Sequence, residues 1–483
     1  MNRTLEQLRE FRSGPNSDVV HDLRVALRRS RSIADAMQEV DPHPDWNEMR
    51  IAARKLFQSL GELRDVQIMA DWLNRLCPEQ DALKDYLLQT LAAAEKLANL
   101  KAQHRAQRFD DTRWKQLQHS LSSRIRRVPA DGEAAHCLAL ERLEEAKELH
   151  RRAMRTESEK PWHGLRIGIK RFRYATESLL PTAHAEWAES LKRVQDVLGD
   201  IHDLDIFAVR LKKAIAQHGG ETSADWNTRI AAARLKNVET YRQLTLGTAS
   251  VWTEWFNGFP RNRWERYANA RIRATRAAMD PRPIRSTLVS RFALRIWSQL
   301  RMRKAANIFS DKRERYILET AARLSGIRHS NGGKTREKAA RTFLLGSPVP
   351  PRWTYAEWER AAWAIRFQRG AEPGPQNKRF AELTEEQQSQ ICLLAGILRI
   401  AVAAQKSGVA KSSSLRIETL PRALLFHVAG VQDSRKNAAR FSVAKRLLQR
   451  SLQRPILLQI EPGIATVLHQ TDSALPIPIS IVR

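Results

Sequence analysis

The sequence predicts a mainly α fold: two pseudo-symmetric helical repeats, a further helical region, and a small α+β tail. Three observations carry this. First, His21-Asp-Leu-Arg24-Val-Ala-Leu-Arg28-Arg29-Ser-Arg31 returns 142 residues later as His163-Gly-Leu-Arg166-Ile-Gly-Ile-Lys170-Arg171-Phe-Arg173. Second, Leu60-Gly61-Glu62-Leu63-Arg64-Asp65-Val66 is answered at an offset of 138 by Leu198-Gly199-Asp200-Ile201-His202-Asp203-Leu204, and Lys192 answers Arg54 at the same offset. Motifs that recur in one order at nearly one separation argue for an internal duplication. Third, apolar spacing stays helical through most of the chain and shifts towards a period of two after residue 410.

Taken in order, residues 1–13 read as a short helix stopped by Ser13-Gly14-Pro15-Asn16. Ser17 or Asp18 is placed to cap the next helix, which runs to about Val40 and ends at Asp41-Pro42-His43-Pro44. At about 100° per residue, His21, Arg24, Arg28 and Arg31 share one face, and Leu23, Leu27, Ser30 and Ile33 the other. A helix from about Asp45 to Leu60, a turn at Gly61 to Asp65, and a helix through Leu76 follow, closed by Cys77-Pro78. From Gln80 to Arg127 nothing breaks a helix; Lys101, Arg105 and Arg108 form a row there that suits either a solvated face or an anion contact.

Val128-Pro129-Ala-Asp131-Gly132 is a loop, and the pattern then repeats. A helix from about Ala134 to Glu159 leads to the second basic helix, with His163, Arg166, Lys170 and Arg173 on one face and Leu165, Ile169 and Phe172 opposite. Pro181 and a helix from about Ala185 follow. Asp65 and Asp203 read as helix caps or arginine holders, not as acid catalysts. Residues 251–310 form a basic connecting region with 13 Lys and Arg against 3 Asp and Glu, in which Arg271, Arg273 and Arg276 mark no site. Helices are expected at about Thr335–Leu345, Thr354–Phe367 and Thr384–Gln405. Strands are expected at Leu415–Thr419, Ala423–Val428 and Pro455–Ile460, with a helix from Ala438 to Leu452 between the last two. The domains so read are 1–250, 251–310, 311–410 and 411–483.

Charge narrows the function. The chain of 483 residues carries a net +29, with 41 Lys and Arg against 36 Asp and Glu in residues 1–250, and 41 against 17 in residues 251–483. Such an excess implies a polyanionic partner: nucleic acid, polyphosphate or an anionic membrane surface. An ordinary solvated helix face mixes signs, because like charges three or four residues apart repel by about 0.2–0.5 kcal/mol per pair. Here acidic relief comes only at the end of each row, from Asp35 and Glu177, and two copies of such a row point to an anion that neutralises them. Cys77, Cys137 and Cys392 have no metal or disulfide spacing, no apolar signal segment opens the chain, and the run Ile391 to Ala404 contains Arg399. These features read as a soluble cytoplasmic protein. Trp353, Trp358 and Trp363 read as core, and His329 as a turn or surface histidine. No phosphate-binding glycine loop, nucleophile elbow or His-Glu-x-x-His occurs.

Residues 15 to about 255 resemble a CHAD domain, the conserved histidine α-helical domain, through the paired basic helices, the paired Leu-Gly-x-x-x-Asp segments and Tyr174-Ala-x-Glu177. That family is helical and binds inorganic polyphosphate in a basic channel. Carried over, the resemblance places ligand contacts on His21, Arg24, Arg28, Arg31, His163, Arg166, Lys170 and Arg173, with Arg54, Arg64 and Lys192 as further contributors. His202 departs from the Arg64-Asp65 form.

The second half resembles the HD-like and α+β C-terminal domains of the exopolyphosphatase and guanosine pentaphosphate phosphatase family, through Ala321 to Ile327, Arg366-Phe-Gln-Arg369 and Phe380 to Glu386. It departs from that family where metal ligands are needed, with Ser325-Gly326 in place of His and an acidic residue, and Gln368 in place of His. The resulting expectation is a non-enzymatic binder of inorganic polyphosphate, without metal or cofactor. It would be associated with polyphosphate granules and open to polyphosphate-metabolising proteins as partners, with no membrane role. The alternatives are a nucleic-acid (RNA) binder, with nucleic acid a secondary partner in the main reading, and a phosphohydrolase using the C-terminal half.

Overall fold

The computed structural model describes residues 2–14, 16–76, 82–156, 158–218, 225–328, 335–370, 372–431 and 434–462. The chain divides into two compact units: unit 1 is 1–281, 327–332 and 342–358, and unit 2 is 282–326, 333–341 and 359–483. The first division falls inside the basic stretch 251–310, because Pro281 separates two well-packed helices there. His329 and the Cys77-Pro78 helix stop lie outside the described residues.

In order, the helices that build unit 1 are α1 (Asn2–Ser13), α2 (Ser17–Gln38), α3 (Pro44–Leu76), α4 (Ala82–Gln107), α5 (Asp111–Ile125), α6 (Glu133–Ala153), α7 (Glu159–Leu179), α8 (Pro181–His218), α9 (Asp225–Thr245), α10 (Val251–Asn257) and α11 (Trp264–Met279). Helices α1 to α4 pack as sequential neighbours, and so do α6 to α9. The two runs meet where α2 packs on α7. Leu23, Leu27, Leu165, Ile169 and Phe172 are wholly buried, so the apolar stripe of each basic helix faces the core as its spacing requires.

Three local expectations are corrected. Asn16, not Ser17 or Asp18, caps α2, its side chain accepting from the Val19 amide at 2.8 Å. Gly61 and Gly199 make no turns: α3 and α8 run straight through them. One helical glycine costs only about 1 kcal/mol, and the buried stripes Leu60-Leu63-Val66 and Leu198-Ile201-Leu204 hold each helix together across it. Conversely, the stretch from Gln80 to Arg127 is broken. Arg12 takes the Ala106 carbonyl at 2.7 Å, and Asp110 caps α5 by accepting from the Arg113 amide at 2.8 Å.

The later helices are α12 (Pro283–Met302), α13 (Lys312–Leu324), α14 (Arg336–Gly346), α15 (Tyr355–Phe367), α16 (Lys378–Ala381) and α17 (Glu385–Lys406). Strands β1 (Leu415–Thr419) and β2 (Leu424–Val431), helix α18 (Ser434–Leu452) and strand β3 (Ile456–Pro462) complete unit 2, so the small α+β tail is present. β1 pairs antiparallel with β2, and β3 parallel with it, α18 being the crossover. Gly430, at φ +78°, sits at the irregularity between β2 and β3. Trp353, Trp358 and Trp363 are core residues, at 8%, 3% and 4% exposure. Helix α17 is apolar and long enough by composition to cross a membrane, yet most of it is buried, and Arg399 on it donates to the carbonyls of Phe367 and Gly370.

The α17–α18 contact is close at Gly396, where an added Cβ would lie 2.8 Å from the Leu448 backbone. Replacing Gly396 with Ala is expected to destabilise unit 2 by about 1–3 kcal/mol, since backbone must move to admit one methyl group. A lowered urea midpoint at unchanged slope would report it; an unmoved midpoint would mean the two helices part freely.

Candidate polyanion site

The α2–α7 crossing brings the two cationic rows together, with Arg29 bonding Glu177 across it. Two clefts open on the result. The larger, of about 940 Å³, is lined by Arg24, Arg28, Arg31, Asp65, Arg166 and Lys170, among others. The smaller, of about 340 Å³, shares Arg24, Arg28, Asp65, Arg166 and Lys170 and adds His21 and Arg64. Seven of the sequence-predicted residues thus line one or both clefts. Arg54 is exposed, with its charge felt at Arg31, and Lys192 is exposed on α8. Arg173 donates to Gln195 at 2.9 Å. His163 faces His202, Nδ1 to Nδ1 at 3.2 Å, and His202 lines the larger cleft. Lys101 pairs with Glu62 at 3.7 Å, and none of Lys101, Arg105 and Arg108 is among the cleft residues.

The guanidinium groups are held in place from behind. Arg28 lies over the Tyr174 ring at 4.6 Å from its centroid, Arg31 over Phe57 at 4.8 Å, and Arg24 over Phe57 at 5.6 Å. Arg24 also donates to the Leu60 carbonyl at 2.6 Å. The buried Nε atoms of Arg28, Arg31, Arg166 and Arg173 have no hydrogen-bond partner among the described residues. A buried donor without an acceptor is costly, so these four arginines are held at the crossing against a penalty.

Electrostatics agree. Burial, then Arg166 and Arg28, push the Lys170 ammonium down to about 7. Burial takes Arg24 down to about 10, against the pull of Asp65. Burial and Arg166 hold His202 down to about 3, and burial followed by nearby cations also lowers His21 and His163. Burial raises Asp203 to about 6, opposed by Arg166 and reinforced by Asp65. Asp65 and Asp203 therefore lie inside helices, facing the rows and capping nothing; of the two roles expected for them, only attraction to arginine remains.

Sequence reasoning missed the aromatic backing by Phe57, for which one residue type at one position gives no signal. It also missed Arg142 and Arg171, which line the larger cleft and share Glu145 at 2.9 and 2.8 Å. Thr342, Phe343, Gly346 and Ser347 complete that cleft from the segment of unit 1 that returns late in the chain. Among the described residues, no three His, Cys, Asp or Glu side chains are grouped as metal ligands.

The family model described as the CHAD domain matches residues 1–212, a span that holds both basic helices and both aspartate segments, so the chain carries a CHAD domain there. A crystal structure of the CHAD domain from the plant Ricinus communis is similar over 50% of this chain and 86% of that chain, at 24% identity and a TM-score of 0.35. No curated protein matches the chain.

Proposed function

We propose that the CHAD domain of this chain binds inorganic polyphosphate, without catalysis, in the clefts at the α2–α7 crossing. One observation carries the reading: four half-buried cations, Arg24, Arg28, Arg166 and Lys170, converge on two clefts that both of the basic helices line. Polyphosphate is a row of anions with no bases to read, and arginines fixed by aromatic faces suit it. The contacts fall on His21, Arg24, Arg28, Arg31, Arg64, Arg166 and Lys170, with Arg54, His163, Arg173 and Lys192 around them. A binder of this kind would be held at polyphosphate granules in the cytoplasm.

Unit 2 enters the proposal as a basic scaffold derived from a phosphatase that has lost its metal centre. What supports this is that Gln368 donates to the Ser325 carbonyl at 3.2 Å, both side chains being buried, so the two substituted positions now hold each other. Unit 2 also carries 33 Lys and Arg against 13 Asp and Glu, a net +20.

The test is competition. Labelled polyphosphate bound to the full-length protein is challenged with RNA and DNA of equal phosphate content while free phosphate is monitored. Preference for polyphosphate with no phosphate release is the expected result. Equal displacement by RNA would reduce the rows to a generic polyanion surface, and steady phosphate release would make the protein a hydrolase. Affinity should also fall steeply with salt, by analogy with nucleic-acid binding.

Lys170 adds a pH dependence. Its free ammonium titrates at about 7, beside Arg166, Arg28, Arg24 and Asp203, and only the cation attracts phosphate. Affinity is therefore expected to fall roughly tenfold as pH rises from about 6.5 to about 8.5. The stability of the free domain runs the opposite way. The Lys170 pKa lies below its unfolded value of 10.5, so its contribution is lost as pH falls towards 7 and regained above 10.5. A flat binding profile would remove Lys170 from the contacts.

A further inference from the structure

The two clefts differ in charge. Beyond the residues they share, the larger adds Arg31, Arg50, Arg142 and Arg171 against Asp35 and Glu39. Both of those carboxylates are already engaged, Asp35 by Arg50 at 3.5 Å and Glu39 by Arg142. The smaller adds Arg64 and Arg75 against Asp71, Asp196, Asp200 and Asp203. One side is thus in cationic excess and the other in acidic excess, with the shared cations between. A phosphate chain is attracted into the first and the centre, and repelled from the second, where juxtaposed like charges cost several kcal/mol.

The ends of a linear polyphosphate also differ from its inner units. A terminal phosphate carries a second ionisable oxygen, with a pKa near 6 as in a phosphate monoester, so it holds the most charge per phosphorus. The densest cation cluster is the shared centre, where Arg24, Arg28, Arg166 and Lys170 line both clefts against Asp65 alone.

We propose that the site is one-ended. A phosphate chain enters on the Arg31 and Arg171 side, its terminal phosphate lodges among Arg24, Arg28, Arg166 and Lys170, and Asp196, Asp200 and Asp203 bar it from leaving through the smaller cleft. This rests on the polyphosphate reading of the same site, adds recognition of the chain end as its specificity, and takes His21 and Arg64, which line the smaller cleft alone, out of the contacts. Asp200 and Asp203 are then specificity determinants that act by repulsion.

The experiment uses full-length protein and a short linear polyphosphate in two forms, one with free ends and one with both ends capped as alkyl phosphoramidates. Capping is expected to weaken binding by about tenfold, the worth of one charge-assisted contact. In Asp200→Asn/Asp203→Asn that difference should shrink, because inner units can then pass the centre. The Arg28→Glu/Lys170→Glu protein, run in parallel, measures end-independent binding elsewhere on the chain so that it can be subtracted. Equal affinity for capped and free chains in the unaltered protein would overturn one-endedness alone. Failure of both forms to bind would overturn the polyphosphate reading and this one with it. The comparison of capped and free chains needs no variant, so it stands even if the aspartate substitutions impair folding.

Discussion

Reversing the charge at Arg28 and Lys170 together, as Arg28→Glu/Lys170→Glu, is expected to lower polyphosphate affinity by at least a hundredfold. Each position loses a charge-assisted contact worth about 1.5–3 kcal/mol, and each new carboxylate repels the ligand besides. The positions are matched across the duplication, and both line both clefts. The free domain should tolerate the change. Arg28 and Lys170 are already penalised by burial and by their cationic neighbours, so the new carboxylates meet Arg166, Arg24 and Arg173 as attractive partners. Anisotropy titration at fixed salt measures the loss, and a thermal melt checks the fold. Unchanged affinity in a folded variant would sink the assignment of the clefts.

The second large effect lies away from the clefts. Arg271 and Glu141 are both buried, with side chains 3% and 4% exposed and Nε 3.4 Å from Oε1. Arg271 also donates to the Pro348 carbonyl at 3.0 Å. Arg271→Ala leaves the carboxyl without its cation in a dry interior and should cost about 3–5 kcal/mol. Burial already raises Glu141 to about 7, Arg271 being the main opposing influence. A carboxyl whose folded pKa exceeds its unfolded value stabilises the fold at low pH and loses that contribution as pH rises through the folded value. Without Arg271 that value climbs further, so the deficit should be larger at about pH 8 than at about pH 5. Arg271→Met/Glu141→Leu should recover most of the loss, as apolar replacements of buried pairs often do. A deficit that ignored pH would mean that packing, not charge, is what Arg271 supplies.

Much of this was legible in the residues because it depends on local period. The opposed stripes of α2 and α7 follow from spacing alone, and so do β1, β2, α18 and β3, each found within a few residues of its expected place. What depends on tertiary neighbours was not legible. Gly61 and Gly199 look like turn residues until the buried leucines on either side are seen to hold one helix. Asp65 and Asp203 look like caps until they are found facing arginines of the rows. Phe57 and Tyr174 gave no sign of lying beneath guanidinium groups. Arg271 belonged to a loosely patterned basic stretch, and only its burial against Glu141 sets it apart. The matched motifs named the cations but not the order of charge along the clefts, which depends on scattered residues such as Asp196, Arg50 and Arg142.

The crossing of α2 on α7 has a consequence for inheritance. Once two copies of a segment pool their cations in one place, neither copy is a spare. Loss of the first removes Arg24 and Arg28, and loss of the second removes Arg166 and Lys170, leaving half of the cation cluster that the two clefts share. A duplication usually frees one copy to drift. Here it would have bound the two to a common fate, so that a lesion in either repeat reads out as the same defect.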